Sequence, residues 1–247
     1  MGGGGFSMEP DNPLLDDFVL SLSRRHPARV CFIPTASADS ASYIVNFYRA
    51  FIGRCIPTDL TLFDSPLLKR RPARSSELAE FVAQQDVIYV GGGSTANLLA
   101  LWRAHRLDIA LRDAWSNGSV LTGVSAGMVC WFSGGLTDSY GGLERLNDGL
   151  AFIEATACPH YGGDEERRRA FRRTIAEGSG VGYAADDGAA FHFAGSALVD
   201  VVSSRPEAAA YQVEQVEGQV VETRLPVRFL GEASVRALSF GSHSSAD

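Results

Sequence analysis

The sequence lacks an excess of basic residues. Its 247 residues include 22 lysines and arginines against 29 aspartates and glutamates, which gives a formal net charge of −7 at pH 7. Because nucleic-acid affinity rests mainly on lysine and arginine contacts with phosphates, this balance argues against a general nucleic-acid binder, although it leaves room for a local basic site. We expect no nucleic-acid partner.

Cysteine is also scarce, and the four residues (Cys31, Cys55, Cys130 and Cys158) show neither a CxxC pair nor metal-type spacing. Reduced, mostly buried thiols are the expectation, which suits a cytoplasmic protein. No apolar run approaches the ~18 residues that span a bilayer. The opening MGGGGFSMEPDN lacks the basic start and apolar stretch of a signal peptide, so we expect a cytoplasmic location and no membrane partner.

The chain does contain a regular alternation of apolar strands and helical segments. The length suits one large α/β domain, and neither a repeat nor a linker divides it, so a single domain over 1–247 is expected. Alternation of this kind predicts three layers, with a mostly parallel sheet and helices on both faces. The strands are predicted at 28–33, 57–63, 86–90 and 118–124, and the helices at 13–25, 40–52, 75–84, 95–104 and 107–116.

The pattern changes after about residue 133. The segment SGGLTDSYGG predicts a glycine-rich loop, 150–158 a strand, and 163–177 a charged helix. The C-terminal portion, about 180–230, predicts antiparallel strands at one edge of the sheet, at 181–185, 189–194, 197–203, 208–215 and 219–225. The tail from about 233 is expected to be loose. Residues 2–5 are a flexible run, or a tight turn leaving a strand that begins at Met1 or upstream of it.

The strongest local motif is Gly123-Val124-Ser125-Ala126-Gly127, between a predicted strand and a helix expected at 128–132. This context is what a nucleophile elbow requires, with Ser125 lifted to the carboxyl edge of the sheet. The amide of Ala126 would then donate to a developing oxyanion. The alternative is a small-residue turn with a serine that caps the helix.

A second motif is Gly91-Gly92-Gly93-Ser94-Thr95, also at a strand end before a helix. Such loops expose amides to anions, but the P-loop lysine and the GxGxxG spacing are missing, which weakens phosphate binding. A second oxyanion donor at Gly93 is the favoured interpretation. The alternative is a turn that only allows close helix packing.

His160 is the candidate general base, since it alone of five histidines follows a predicted core strand, in Cys158-Pro159-His160-Tyr161. The others are expected at the surface, on a solvated strand face or in the tail: His26, His105, His192 and His243.

The acid partner that a triad requires is open among three aspartates, with Asp187 favoured, Asp138 next and Asp186 adjacent to the first. The run from Asp164 to Arg173 predicts a solvated helix by default. One of its arginines is the candidate to bind a substrate carboxylate.

Together these motifs resemble the S51 serine peptidases, which include peptidase E (an α-aspartyl dipeptidase) and, more distantly, cyanophycinase. The resemblance covers roughly 28–195 and rests on GGGST, GVSAGM, PHY with its arginine-rich helix, and DDG in that order. It implies a class I glutamine amidotransferase-like (flavodoxin-like) α/β fold, with serine where the amidotransferases carry cysteine.

Carried over, the resemblance implies roles for individual residues. Ser125 matches the nucleophile, His160 the base, and Gly93 and Ala126 the oxyanion amides. Asp187 stands where peptidase E has glutamate before glycine. The substrate-binding candidates are Ser94, which replaces an asparagine, Arg167, which would read a substrate aspartate, and Asp138, near another acidic residue of the family.

We therefore expect a serine peptidase acting on short peptides, with an N-terminal aspartate as the first candidate substrate feature. This chemistry needs no metal and no organic cofactor. The partner would be a small peptide substrate, and a homodimer is one option for the oligomeric state. The alternatives are another serine hydrolase (an esterase, or a cyanophycinase-like or carboxypeptidase-like enzyme) and a non-catalytic ligand-binding module.

Overall fold

Within residues 1–63 and 75–231, which the computed structural model describes, the chain forms three sheets from thirteen strands, together with seven α-helices. The helices are α1 (Leu14–Ser21), α2 (Ala41–Phe51), α3 (Ser75–Ala83), α4 (Thr95–His105), α5 (Leu107–Ser116), α6 (Ala126–Val129) and α7 (Glu165–Ala176). The strands are β1 (Arg29–Ile33), β2 (Ile56–Asp59), β3 (Val87–Val90), β4 (Val120–Gly123), β5 (Phe132–Thr137), β6 (Glu144–Leu146), β7 (Ile153–Cys158), β8 (Gly182–Ala185), β9 (Ala189–Ala194), β10 (Ala197–Ser203), β11 (Ala210–Val216), β12 (Gln219–Arg224) and β13 (Arg228–Phe229).

The first four strands form a parallel sheet in the order β2-β1-β3-β4. The centre of this sheet reads as uninterrupted apolar runs because both of its faces are covered. On one face, Phe47 of α2 stacks on Phe32 with ring centroids 5.0 Å apart. On the other, Trp102 of α4 and Leu111 of α5 are fully buried in the cluster that holds Ile88. The predicted three-layer α/β fold is confirmed.

The later strands form two further sheets. One has the order β12-β11-β8-β7-β5-β6, and the other the order β13-β10-β9. Antiparallel pairs join β11 to β8 and β12, and β9 to β10, so the predicted C-terminal antiparallel strands are confirmed. The first of these predicted strands, β8, differs because it pairs in parallel with β7.

One local prediction is wrong because a glycine-rich strand resembles a loop in sequence. The segment expected to be a glycine-rich loop contains β5, which pairs with β6 and β7. Its glycines allow close strand contact, since a Cβ on Gly134 would lie 2.5 Å from the Leu146 carbonyl oxygen. The helix expected at 128–132 is a single turn, α6, because Phe132 already begins β5, and α1 ends at Ser21 rather than at 25. The tail expected to be loose lies outside the described residues.

The glycine run at the start of the chain is neither flexible nor exposed. The Met1 ammonium donates to the Gly123 carbonyl at 2.9 Å, and the Gly2 amide donates to the Ala189 carbonyl at 3.0 Å. The Gly3 carbonyl accepts from the Gly188 amide at 3.0 Å. These residues therefore lie as an extended segment between the end of β4 and the start of β9.

All four cysteines lie in the described part of the chain, where they are buried and unpaired. None of the helices seen in residues 1–63 and 75–231 combines the length and the apolar character that a membrane span requires. The same residues hold no cluster of three or more histidine, cysteine, aspartate or glutamate side chains arranged to bind a metal ion.

Candidate active site

Ser125 sits at a sharp turn between β4 and α6. Its backbone has φ 57° and ψ −114°, a combination that costs an L-residue conformational energy. The turn is tight enough that a Cβ on Gly123 would lie 2.2 Å from the Gly127 carbonyl oxygen, so only glycine fits there. The strained turn presents the serine hydroxyl at the carboxyl edge of the parallel sheet, as the sequence motif predicts.

Ser125, His160 and Asp187 form a continuous chain of hydrogen bonds. His160 Nε2 lies 2.8 Å from Ser125 Oγ, and His160 Nδ1 lies 2.6 Å from Asp187 Oδ1. His160 follows β7, and Asp187 lies in the turn between β8 and β9. Both distances fall within the range that an activated serine and its oriented base require.

The hydrogen bond from His160 holds the pKa of Asp187 below its usual value, although partial burial opposes the shift, and the charges of Arg205 and Arg167 add to the lowering. An ionised Asp187 accepts from Nδ1–H, which leaves Nε2 without a proton and free to accept the Ser125 hydroxyl. The N-terminal segment closes over this carboxylate, since a Cβ on Gly3 would lie 2.0 Å from Asp187 Oδ1.

The other two candidate acids occupy different places. Asp138 is exposed, and its Oδ2 lies 3.6 Å from Arg167 Nη2. Asp186 turns its Oδ2 to the Ala209 amide at 3.0 Å, and burial raises the pKa of this carboxyl despite that bond. Of the three aspartates left open by the sequence, only Asp187 meets the imidazole.

Gly93 and Ala126, whose amides are the predicted oxyanion donors, line the same cavity as Ser125. Neither amide donates a hydrogen bond to another group in the described residues. The glycine loop lies against the serine, since a Cβ on Gly92 would be 3.3 Å from Ser125 Cβ. Both amides are therefore available to an oxygen bound beside Ser125.

A small cavity of about 280 Å³ opens over these groups. Among its lining residues are Gly93, Ser125, Ala126 and His160 from the hydrogen-bonded centre. Its walls add apolar side chains and buried hydroxyls to which motif reasoning assigned no role. These are Val129, Leu136, Pro159, Thr95 and Thr137. Pro159 and Thr95 belong to the motifs around His160 and Gly93, and Thr137 directly adjoins Asp138 in sequence.

Comparison with known proteins decides the family. The sequence pattern described as peptidase family S51 matches residues 1–201. This chain belongs to peptidase family S51. A relative from Bacillus subtilis (strain 168), "Uncharacterized peptidase YgaJ", is 51% identical over 233 residues, which cover 94% of this chain and 97% of the relative.

Two solved structures share the fold of this S51 chain. A peptidase from an acI-B1 Actinobacterium superposes with a TM-score of 0.64 at 19% identity, over 92% of both chains. A putative peptidase E protein from Listeria monocytogenes EGD-e superposes with a TM-score of 0.53 at 19% identity, over 85% of this chain and 93% of the other. At this level of identity the likeness concerns the fold, and it confirms the predicted peptidase E-like architecture.

Among the arginines of α7, the S51 chain turns Arg167 toward the cavity, with 14% of its side chain exposed. Arg168 instead pairs with the buried Glu222, and Arg169 pairs with Glu165 on the exposed face. The default expectation of a solvated helix therefore fails for Arg167. The helical phase places this arginine at the cavity.

Ser94 does not line the cavity in the S51 chain. Its hydroxyl caps α4 by accepting from the Asn97 amide at 3.3 Å. This bond is the ordinary role of a serine at a helix N-cap. Contact between Ser94 and a substrate stays a prediction.

Proposed function

We propose that this S51 chain is a serine peptidase that hydrolyses short peptides, with Ser125 as nucleophile, His160 as general base and Asp187 as the acid. The observation that carries the proposal is the unbroken hydrogen-bond chain from Asp187 through His160 to Ser125, at 2.6 and 2.8 Å. This chain opens into a cavity with two free amides. No other group of described residues combines a strained serine, a paired imidazole and free backbone donors.

In the first half of the reaction, Ser125 Oγ attacks the scissile carbonyl carbon while His160 Nε2 accepts the hydroxyl proton. Negative charge then develops on the carbonyl oxygen, and the Gly93 and Ala126 amides donate to it. Asp187 stabilises the imidazolium that forms. Collapse of the tetrahedral intermediate breaks the C–N bond as His160 gives its proton to the departing amine.

In the second half, water replaces the departed amine. His160 Nε2 takes a proton from that water, whose oxygen attacks the acyl-enzyme carbonyl. The second tetrahedral intermediate uses the same two amides. Its collapse releases the carboxylic acid and returns the proton to Ser125 Oγ.

The size and charge of the cavity support a short substrate that carries a carboxylate. A volume of about 280 Å³ holds few residues, and Arg167 supplies a fixed cation beside Ser125 and His160. Guanidinium binds carboxylate through paired, charge-assisted hydrogen bonds. Asp138 offsets part of this charge only weakly, because it is exposed and 3.6 Å away. A dipeptide with N-terminal aspartate is the first substrate to test.

The test is hydrolysis of a dipeptide panel by the wild type and Ser125→Ala. The panel contains Asp-Xaa, neutral dipeptides and C-terminally blocked peptides, with a simple ester assayed beside them. We expect cleavage of Asp-Xaa, reduced by a factor of about 10⁴ or more in Ser125→Ala. Cleavage that survives in Ser125→Ala would refute the serine mechanism. Serine-dependent cleavage of esters, but of no peptide, would favour the esterase alternative.

Specificity is tested by a matched pair of variants on α7. Arg167→Met should lower kcat/KM for Asp-Xaa by about 10- to 100-fold, which is the range for losing a hydrogen bond to a charged group. The control is Arg169→Met, since Arg169 lies on the exposed face of the same helix, where it pairs with Glu165. Equal losses for neutral and acidic peptides in Arg167→Met would contradict carboxylate recognition.

A further inference from the structure

The loop that supplies the Gly93 amide has no side chains of its own to hold it in place. Its three glycines, 91–93, follow β3 directly and precede the N-cap residue of α4. Gly93 has a φ of 137°, a conformation that glycine adopts without steric cost. Because glycine has more backbone freedom than any other residue, bonds from neighbouring elements must fix the orientation of this amide.

Two bonds to backbone carbonyls fix the ends of the loop. The Gly91 amide donates to the Ile33 carbonyl at 3.1 Å, and the Ser94 amide donates to the Ala36 carbonyl at 2.8 Å. Ile33 is the last residue of β1, and Ala36 follows it closely in the chain. The loop is therefore tied at both ends to the segment that leaves the neighbouring strand of the parallel sheet.

The two central amides differ in their partners. The Gly92 amide donates to the Tyr43 hydroxyl at 3.3 Å. The Gly93 amide has no acceptor among the residues that the structure describes, and Gly93 lines the cavity beside Ser125. Within the same described part of the chain, Tyr43 is the one side chain that accepts a hydrogen bond from a glycine of this loop.

Tyr43, on α2, is itself held by its surroundings. Its ring packs against Phe32 with centroids 4.9 Å apart and against Phe6 with centroids 5.5 Å apart. Its hydroxyl donates to Ser7 Oγ at 2.7 Å, which leaves the oxygen free to accept from the Gly92 amide. Burial raises the pKa of this hydroxyl above its usual value, so the phenol keeps its proton at neutral pH.

The loop lies between the Tyr43 ring and the nucleophile. A Cβ on Gly91 would lie 2.8 Å from Tyr43 Cε1, and a Cβ on Gly92 would lie 3.3 Å from Ser125 Cβ. A rotation of the Gly92 peptide would therefore change the direction of the next N–H, that of Gly93, relative to the serine.

We propose that Tyr43 is a positioning residue for the oxyanion donor. Its hydroxyl fixes the Gly92 peptide and so orients the Gly93 N–H toward the oxygen that becomes negatively charged in the tetrahedral intermediate. This inference rests on the proposed serine mechanism. Tyr43 does not line the cavity, so it acts on the reaction through the loop. Its contribution should appear where charge develops on the carbonyl oxygen and not in substrate binding.

The test is steady-state hydrolysis, by Tyr43→Phe, of the dipeptide that the wild type cleaves best. Phenylalanine keeps the ring and removes the acceptor for the Gly92 amide. We expect kcat to fall about tenfold, the amount for one uncharged hydrogen bond, with KM changed less than about twofold. The matched control is Tyr48→Phe on the same helix, since the Tyr48 hydroxyl donates instead to Asp59 Oδ1 at 2.7 Å. This control should leave kcat and KM within about twofold of the wild type.

A second measurement separates the orientation of the amide from a general loosening of the fold. Ser125 Oγ adds to the carbon of a dipeptide aldehyde, and the former carbonyl oxygen then takes the oxyanion position. The matching dipeptide alcohol binds without forming this adduct. Tyr43→Phe should weaken binding of the aldehyde about tenfold and binding of the alcohol less than about twofold.

Ser7→Ala is a milder variant for the case in which Tyr43→Phe does not fold. It removes the bond that orients the Tyr43 hydroxyl but keeps the hydroxyl itself. It should lower kcat by about threefold, again with little change in KM.

Wild-type kcat in Tyr43→Phe, or in Ser7→Ala where that variant is used, would overturn this inference and leave the serine mechanism in place. Equal weakening of the aldehyde and the alcohol would also overturn it, because the whole cavity would then be distorted. So would an equal loss of kcat in Tyr48→Phe. A wild type without Ser125-dependent hydrolysis would refute the serine mechanism, and this inference with it.

Discussion

Replacing Asp187 with asparagine tests whether this carboxylate fixes the tautomer of His160, as the proposed mechanism requires. The Asp187→Asn substitution is nearly isosteric, so the fold and the cavity should survive. In the wild type, His160 Nδ1 lies 2.6 Å from a carboxylate oxygen of Asp187. The substitution replaces that carboxylate with an amide. An amide NH₂ in that place donates to Nδ1, which leaves the ring proton on Nε2. An Nε2–H group cannot accept the proton of the Ser125 hydroxyl.

The expected loss of kcat is large because the substitution changes the tautomer of the His160 imidazole and leaves its position unchanged. In serine proteases with the same constellation, the corresponding change lowers kcat by about 10⁴. This factor corresponds to about 5.5 kcal/mol of transition-state stabilisation. KM should change little, since Asp187 does not line the cavity.

The assay is steady-state hydrolysis of the best dipeptide, with Asp186→Asn and Asp138→Asn as controls. Asp186 is the adjacent carboxylate that bonds to the Ala209 amide instead of the imidazole. Its replacement should affect stability more than kcat. Asp138→Asn should alter KM through Arg167. An Asp187→Asn variant that keeps more than about a tenth of wild-type kcat, or an equal loss in Asp138→Asn, would refute the assignment.

Three further predictions concern stability. Ser125→Gly should be inactive but more stable than Ser125→Ala by about 1 kcal/mol in a thermal scan, because glycine relieves the backbone at φ 57°; an order reversed from this would contradict stored strain. Burial raises the pKa of Asp16 to about 6. Between about pH 4 and 6 the folded state therefore binds more protons than the unfolded state, and the free energy of unfolding falls as the pH rises through that range. Asp16→Asn keeps an acceptor for the Tyr89 hydroxyl. The substitution should therefore raise the free energy of unfolding by about 2 to 3 kcal/mol at pH 7 and leave it unchanged below about pH 4. Urea titration at both pH values measures this difference. Glu222→Gln should destabilise by about 1 to 2 kcal/mol, since the buried carboxylate pairs with Arg168 at a partly exposed edge; an unchanged Tm would mean that the pair contributes nothing.

The parallel part of the fold was predictable from the sequence because strands buried on both faces appear as continuous apolar runs. β3 is apolar from end to end, β1 is apolar after its exposed Arg29, and each is followed by a turn residue. The same logic located Ser125 and His160, since each follows a strand, β4 or β7, that is mainly apolar.

Features set by contacts distant in sequence were not predictable. The glycines of residues 2–5 gave no sign that Gly3 packs on Asp187, about three-quarters of the chain away. Gly134 and Gly135 resembled a loop because their small size serves neighbouring strands rather than a turn. Likewise, composition alone does not distinguish Arg167 from Arg168, since only the rotation of α7 decides which arginine enters the cavity.

The three hydrogen-bonded residues depend on two different sheets. Ser125 follows a strand of the four-stranded sheet, whereas His160 and Asp187 follow the neighbouring strands β7 and β8 of the six-stranded sheet. Each sheet keeps its own backbone bonds if the two sheets separate slightly, but the distance between Ser125 Oγ and His160 Nε2 does not survive such a shift. The catalytic rate therefore reports whether the sheets are packed together correctly. On heating, activity should disappear at a lower temperature than the circular dichroism of the helices and strands.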